Sequence, residues 1–141
     1  MNTTTRIRQE LLVEHIFDIG KFQFYPNIIL GEFAEGVHVT KANALQPILL
    51  AEKIYGDARP FVYLSHRLNS YSMDPVGYGE VVGMFPNFTG FAIVSTNKYR
   101  RMLANLERLF IKRPIEVFHT LEDAFLWADE LLQEENLKSR V

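Results

Sequence analysis

Apolar and polar residues alternate near the start of the chain. Val13, His15, Phe17 and Ile19 fall on one face, with Glu14 and Asp18 on the other, the period of two that a half-buried strand requires. Asp18-Ile19-Gly20-Lys21 reads as a turn into Phe22-Gln23-Phe24-Tyr25. Pro26-Asn27 breaks the run before Ile28-Ile29-Leu30-Gly31-Glu32-Phe33. Ala34-Glu35-Gly36 turns again, and Val37-His38-Val39 is a short last strand. The pattern predicts a meander of antiparallel hairpins.

After Thr40 the period changes. Thr40 or Asn43 can cap a helix with apolar positions Leu45, Ile48, Leu49 and Tyr55, stopped by Gly56. Pro47 fits that helix if it begins near Ala44, because proline removes an amide donor deeper inside. Pro60-Phe61-Val62-Tyr63-Leu64 and Gly90-Phe91-Ala92-Ile93-Val94 read as buried strands, and Pro114-Ile115-Glu116-Val117-Phe118 as a third. Asp74-Pro75 opens a helix to about Phe85. Ser95-Thr96-Asn97 caps another, carrying Met102, Leu103, Leu106, Leu109 and Phe110. Thr120-Leu121-Glu122-Asp123 resembles a capping box, and the helix behind it puts Leu121, Ala124, Phe125, Ala128, Leu131 and Leu132 on one face. Repeated strand–helix units demand right-handed crossovers and a largely parallel sheet. The expected fold is therefore α/β: N-terminal antiparallel hairpins, then strand–helix repeats, a mixed sheet and about four helices. It forms one domain over residues 1–141, with a polar tail, Asn136–Val141, expected to fray.

Composition narrows the class without naming a reaction. The 141 residues are 48% hydrophobic and 23% charged, as in an average globular domain. The chain contains no cysteine, which excludes a disulfide scaffold, thiolate metal sites and a cysteine nucleophile. A net charge of −2 makes no electrostatic case for nucleic acid. The polar start has no apolar core of the kind a secretion signal needs, and no apolar run approaches a bilayer span. No transmembrane segment and a cytoplasmic location are expected. Charge is nonetheless uneven: between Asn97 and Arg113 six basic residues face only Glu107, whereas between Pro114 and Glu135 there are seven acids and no Lys or Arg. Arg101, Arg108 and Lys112 lie at helical spacing, a stripe that could meet an anionic partner or serve as a solvated helix face.

In a sheet of this kind, the strand ends leading into helices face one edge, where ligands tend to bind. Here those ends and the loop behind them supply Ser65, His66, Arg67 and Asn69, then Ser95, Thr96 and Asn97, then His119. This is the candidate binding rim. Capping explains the hydroxyls but not His66 and Arg67. The helix after Asp74 contains Gly77, Gly79 and Gly83, each costing about 0.5–1 kcal/mol against alanine. It is read as either a weak, switch-like element or a tight packing spot. Catalytic motifs fail inspection. Gly77 to Gly83 has the wrong spacing for a dinucleotide fingerprint and follows a proline. Ser95-Thr96-Asn97-Lys98 lacks the partner motifs of penicillin-binding enzymes. The histidines 15, 38, 66 and 119 show no metal-ligand spacing. No enzyme activity, cofactor or metal is expected.

Four segments in order, Val37-His38-Val39-Thr40, Arg59-Pro60-Phe61-Val62-Tyr63-Leu64, Gly90-Phe91-Ala92-Ile93-Val94 and Leu121-Glu122-Asp123-Ala124-Phe125-Leu126-Trp127, resemble the STAS-like proteins, relatives of the sporulation anti-anti-sigma factor. The resemblance runs from about Phe22 to Leu132. It implies a SpoIIAA-like fold and a non-enzymatic regulatory domain acting through protein contacts at the rim, with another protein or a second copy of the chain. In the anti-anti-sigma branch a serine at a helix start is phosphorylated. The matching place is Ser70-Tyr71-Ser72-Met73-Asp74, which makes Ser72 and then Ser70 the candidates. The D-S-S-G-type signature itself is absent. A phosphate there would sit at a helix N-terminus near Arg67. STAS-like and SEC14-like relatives that bind nucleotides or lipids imply the alternative: a sensor for a small anionic or lipid-like ligand at the same rim.

Overall fold

The computed structural model describes residues 9–98, 102, 105 and 107–138. Among the described residues eight strands run in chain order: β1 (Val13–Phe17), β2 (Gly20–Phe24), β3 (Ile28–Phe33), β4 (His38–Val39), β5 (Phe61–His66), β6 (Ser72–Met73), β7 (Phe88–Val94) and β8 (Ile115–Phe118). Three helices are delimited among the described residues: α1 (Leu45–Tyr55), α2 (Pro75–Gly83) and α3 (Leu121–Lys138). The fourth expected helix falls on a stretch where Lys98, Met102, Asn105 and Glu107 are helical. Its anticipated apolar positions Leu103 and Leu106 lie outside the described residues.

Six strands form one mixed sheet in the order β1-β2-β3-β5-β7-β8. The first two pairings are antiparallel, with Val13 opposite Phe24 and Gly20 opposite Phe33. From β3 onward the ladder is parallel, with Ile28 beside Val62, His66 beside Val94, and Val94 beside Phe118. The expected hairpins followed by a parallel half are both present. One strand departs from expectation. β4 does not extend the meander but leaves the sheet and pairs in parallel with β6, His38 beside Ser72 and Val39 beside Met73. Alternation alone marks a strand and is silent on its partner.

The pleat sends successive side chains to opposite faces, and each face has its own cover. On one, Phe22, Phe24, Ile29, Phe33, Phe61 and Phe91 meet Ile48, Ala51 and Tyr55 of α1 and Val82 of α2. On the other, Ile28, Val62, Leu64, Ala92 and Val94 meet Ala124, Phe125 and Ala128 of α3. There the approach is close. A Cβ on Gly90 would lie 2.5 Å from Leu131 Cδ2 and 3.1 Å from the Trp127 ring, so any larger residue would force the Leu131 side chain to shift and crowd Trp127.

Local signals account for the helix starts. The Asn43 amide bonds the Thr40 hydroxyl at 3.2 Å while the Thr40 amide bonds Asn43 Oδ1 at 2.8 Å, a reciprocal turn just before α1. Pro47 is the third helical residue, where its missing donor is harmless. The Asp123 amide donates to Thr120 Oγ1 at 3.1 Å, the expected cap of α3. This helix continues through Asn136, Leu137 and Lys138, half of the tail expected to fray; residues 139–141 lie outside the described residues. No helix is long and apolar enough to cross a membrane among the described residues.

Candidate functional site

Parallel pairing brings the expected rim segments to one sheet edge. The Arg67 amide bonds the Val94 carbonyl at 2.8 Å and the Ser95 amide bonds the Phe118 carbonyl at 3.0 Å, so the ends of β5, β7 and β8 are adjacent. The side chains do not share one surface. Thr96, Asn97 and His119 are exposed and His66 and Asn69 half-buried, while Ser65, Arg67 and Ser95 lie inside. Asn69 donates to the Phe33 carbonyl at 2.8 Å, and Ser95 Oγ accepts the Asn97 amide at 3.1 Å. His66 is held below the usual imidazole range, chiefly by burial and against the opposing pull of Glu32.

Arg67 has a different role from a surface cation. Its guanidinium grips Glu107 through two 2.8 Å hydrogen bonds, with both side chains under a tenth exposed. Arg67 Nε also donates to Ser65 Oγ at 3.1 Å, and the guanidinium lies 5.6 Å from the Tyr71 ring centre. Burial alone would lower Arg67; Tyr71 and the bonded Glu107 carboxylate outweigh it and hold it firmly charged. The pair ties the loop after β5 to the segment before β8. Arg108 and Arg113 are likewise engaged with backbone, donating to the Ile115 carbonyl at 2.7 Å and the Phe88 carbonyl at 2.9 Å. Arg101 of the expected basic stripe lies outside the described residues.

The phosphorylation candidates flank Tyr71, whose ring centre lies 5.6 Å from the Arg67 guanidinium. Ser70 and Ser72 are both exposed. The Ser70 amide bonds Glu35 Oε1 at 2.9 Å, and Ser72 Oγ lies 2.7 Å from His38 Nδ1, across the β4–β6 pair.

A further feature lies away from the expected rim. Between the sheet and helices α1 and α2 lies an apolar cavity of about 120 Å³. Its floor is aromatic (Phe22, Phe24, Phe33, Phe61, Tyr63, Phe88 and Phe91), and its roof is Ala44 just before α1, Pro47, Ile48 and Ala51 of α1, and Gly77, Tyr78, Val81 and Val82 of α2. Val39 and Met73 close one side from β4 and β6. Thr40, Lys41 and Asp74 also line it, and Lys41 is exposed, so this end meets solvent. None of the eight expected rim residues lines it.

Three rings form one wall. Tyr63 stacks on Phe91 with centroids 5.4 Å apart and planes 8° from parallel, and Tyr78 meets Phe91 edge-on at 5.6 Å. The hydroxyls of Tyr63 and Tyr78 are sealed from solvent and find no hydrogen-bond partner among the described residues. Burial pushes both phenols up, so they stay protonated near neutrality. Gly79 of α2 lies against the Phe110 carbonyl, which a Cβ would approach to 3.0 Å. This answers the question of the α2 glycines in part: Gly79 is a packing spot, whereas Gly83 faces open space.

No protein-family model matches the sequence, and no curated protein does either. The fold has a solved counterpart in the crystal structure of an uncharacterized DUF3478-family protein with a SpoIIAA-like fold from Shewanella loihica PV-4. It superposes with a TM-score of 0.50 over 91% of this chain and 99% of that one, at 12% sequence identity. The chain thus has a SpoIIAA-like α/β fold, the fold its sequence resemblance implied.

Proposed function

We propose that this is a non-enzymatic regulatory domain that senses a small molecule held in the cavity beneath α1 and α2. The carrying observation is the cavity itself, an apolar hollow of about 120 Å³ walled by two short helices and reaching solvent beside Lys41. α2 is suited to pass the signal outward. It lines the cavity with Tyr78, Val81 and Val82 while Val76 and Glu80 stand exposed, and its interior glycines weaken it. Ligand contact on one side of α2 therefore alters the surface on the other.

The protein-contact reading has one observation in its favour. Leu68, in the loop after β5, is 56% exposed, an apolar side chain offered to solvent by a segment of the expected rim. The two readings combine if partner binding responds to the cavity.

Hydrogen–deuterium exchange combined with thermal melting across a small-molecule panel tests the proposal. A ligand that fills the cavity stabilises the fold by RT ln(1 + [L]/Kd), which raises the melting temperature, and slows exchange in α2. Stabilisation without any change in α2, or no stabilising compound at all, refutes the sensor reading.

A further inference from the structure

The cavity also specifies what it takes. We propose that its ligand is an uncharged, apolar molecule of about benzene size, a single ring or a hydrocarbon of equal bulk, and neither an anion nor a long acyl chain. This rests on the ligand-sensing reading above.

Size comes first. At about 120 Å³ the cavity is slightly smaller than the engineered hollow of roughly 150 Å³ that stays dry and admits benzene. An acyl chain of membrane length carries more than twice the carbon of benzene, so most of it would stand outside the hollow, in solvent beyond the open end at Lys41.

Polarity comes second. The interior presents ring faces and aliphatic groups, and the Tyr63 and Tyr78 hydroxyls are sealed away from the cavity surface. A hydroxyl or carboxylate carried past Thr40, Lys41 and Asp74 at the open end, in among the rings, would lose its water and find no partner there. Charge comes third. Arg67, the buried cation nearest this wall, is already neutralised by Glu107. Lys41 and Asp74 at the open end carry opposite charges, so the mouth selects no net ligand charge. Ring shape fits the walls, because edge and face contacts with Phe and Tyr favour a flat aromatic guest.

The test titrates the whole chain with benzene, phenol, palmitate and inorganic phosphate, following both melting temperature and ligand-observed NMR. Benzene is expected to bind saturably and raise the melting temperature, with phenol at least tenfold weaker. Palmitate and phosphate are expected to leave the melting temperature unchanged. Val82→Phe should fill the space and abolish benzene binding. If that variant does not fold, Val82→Ile should weaken benzene severalfold while phosphate remains without effect. Palmitate or phosphate binding in place of benzene overturns the ligand class and leaves the sensing reading standing. Benzene affinity equal in wild type and Val82→Ile overturns the site. Silence from all four probes, together with no stabilising compound in the wider panel, overturns both.

Discussion

The two faces of the central sheet are built from the same strands and have opposite characters. Under α3, small residues meet. Ala124, Ala128 and Gly90 let an 18-residue helix lie close, and Val62, Leu64 and Ala92 are fully buried beneath it. Under α1 and α2, seven aromatic residues from four strands face two helices of 11 and 9 residues. Rigid rings opposite Ala44, Ala51 and Gly77 do not interdigitate to native density, and a hollow remains. One face has been packed for stability, the other left with room. Side-chain volume, rather than hydrophobicity, separates them.

The sharpest challenge to this contrast is the ion pair beside the hollow. Glu107→Gln should destabilise the fold by about 3–5 kcal/mol, because it strands a buried guanidinium. A double substitution, Arg67→Met with Glu107→Leu, should cost far less than the two singles together. Urea unfolding of the four proteins measures the coupling, and additive losses would show that the pair is not an isolated buried unit.

Next comes a matched enlargement on each face. Ala128→Leu adds carbon where none fits and should cost about 1–3 kcal/mol. Val82→Ile adds a methyl group into the hollow and should gain about 0.8 kcal/mol. Equal signs in the two melting curves would erase the distinction between the faces. Thr120→Ala removes the cap of α3 and should cost about 1 kcal/mol, read by the same unfolding curves. The dense face tolerates that loss without losing ligand affinity on the other.

The smallest effect is in pH. His66 is depressed in the fold, mainly by burial, so just below neutrality the unfolded chain binds more protons than the folded one. Stability then falls as the pH drops through the unfolded value of about 6.5, levelling once the folded imidazole also protonates. In His66→Gln this component should vanish, leaving a flatter profile of unfolding free energy between neutral and mildly acidic pH.

Much of the architecture was legible in local pattern. Periods of two and near four, Thr120, Pro47 and the turn at Pro26-Asn27 all act over a few residues and mark elements correctly. What escaped was nonlocal. Arg67 read as a member of the binding rim because its partner lies 40 positions away, inside a run counted as basic. β4 read as part of the meander because strand partners are chosen by the whole sheet. The hollow is a volume shared by rings on β2, β3, β5 and β7, and no single stretch of sequence carries it. The only local hint was an excess of phenylalanine, 11 in the chain, facing helices with small residues.

Trp127 is the chain's only tryptophan. It packs on Phe118, 5.7 Å between ring centres, beside Gly90 on the α3 side of the sheet. The molecule therefore carries a built-in optical reporter on its dense half alone. Indole emission should follow the docking of α3 as the chain folds, while events in the hollow, a full sheet thickness away, pass with the light unchanged.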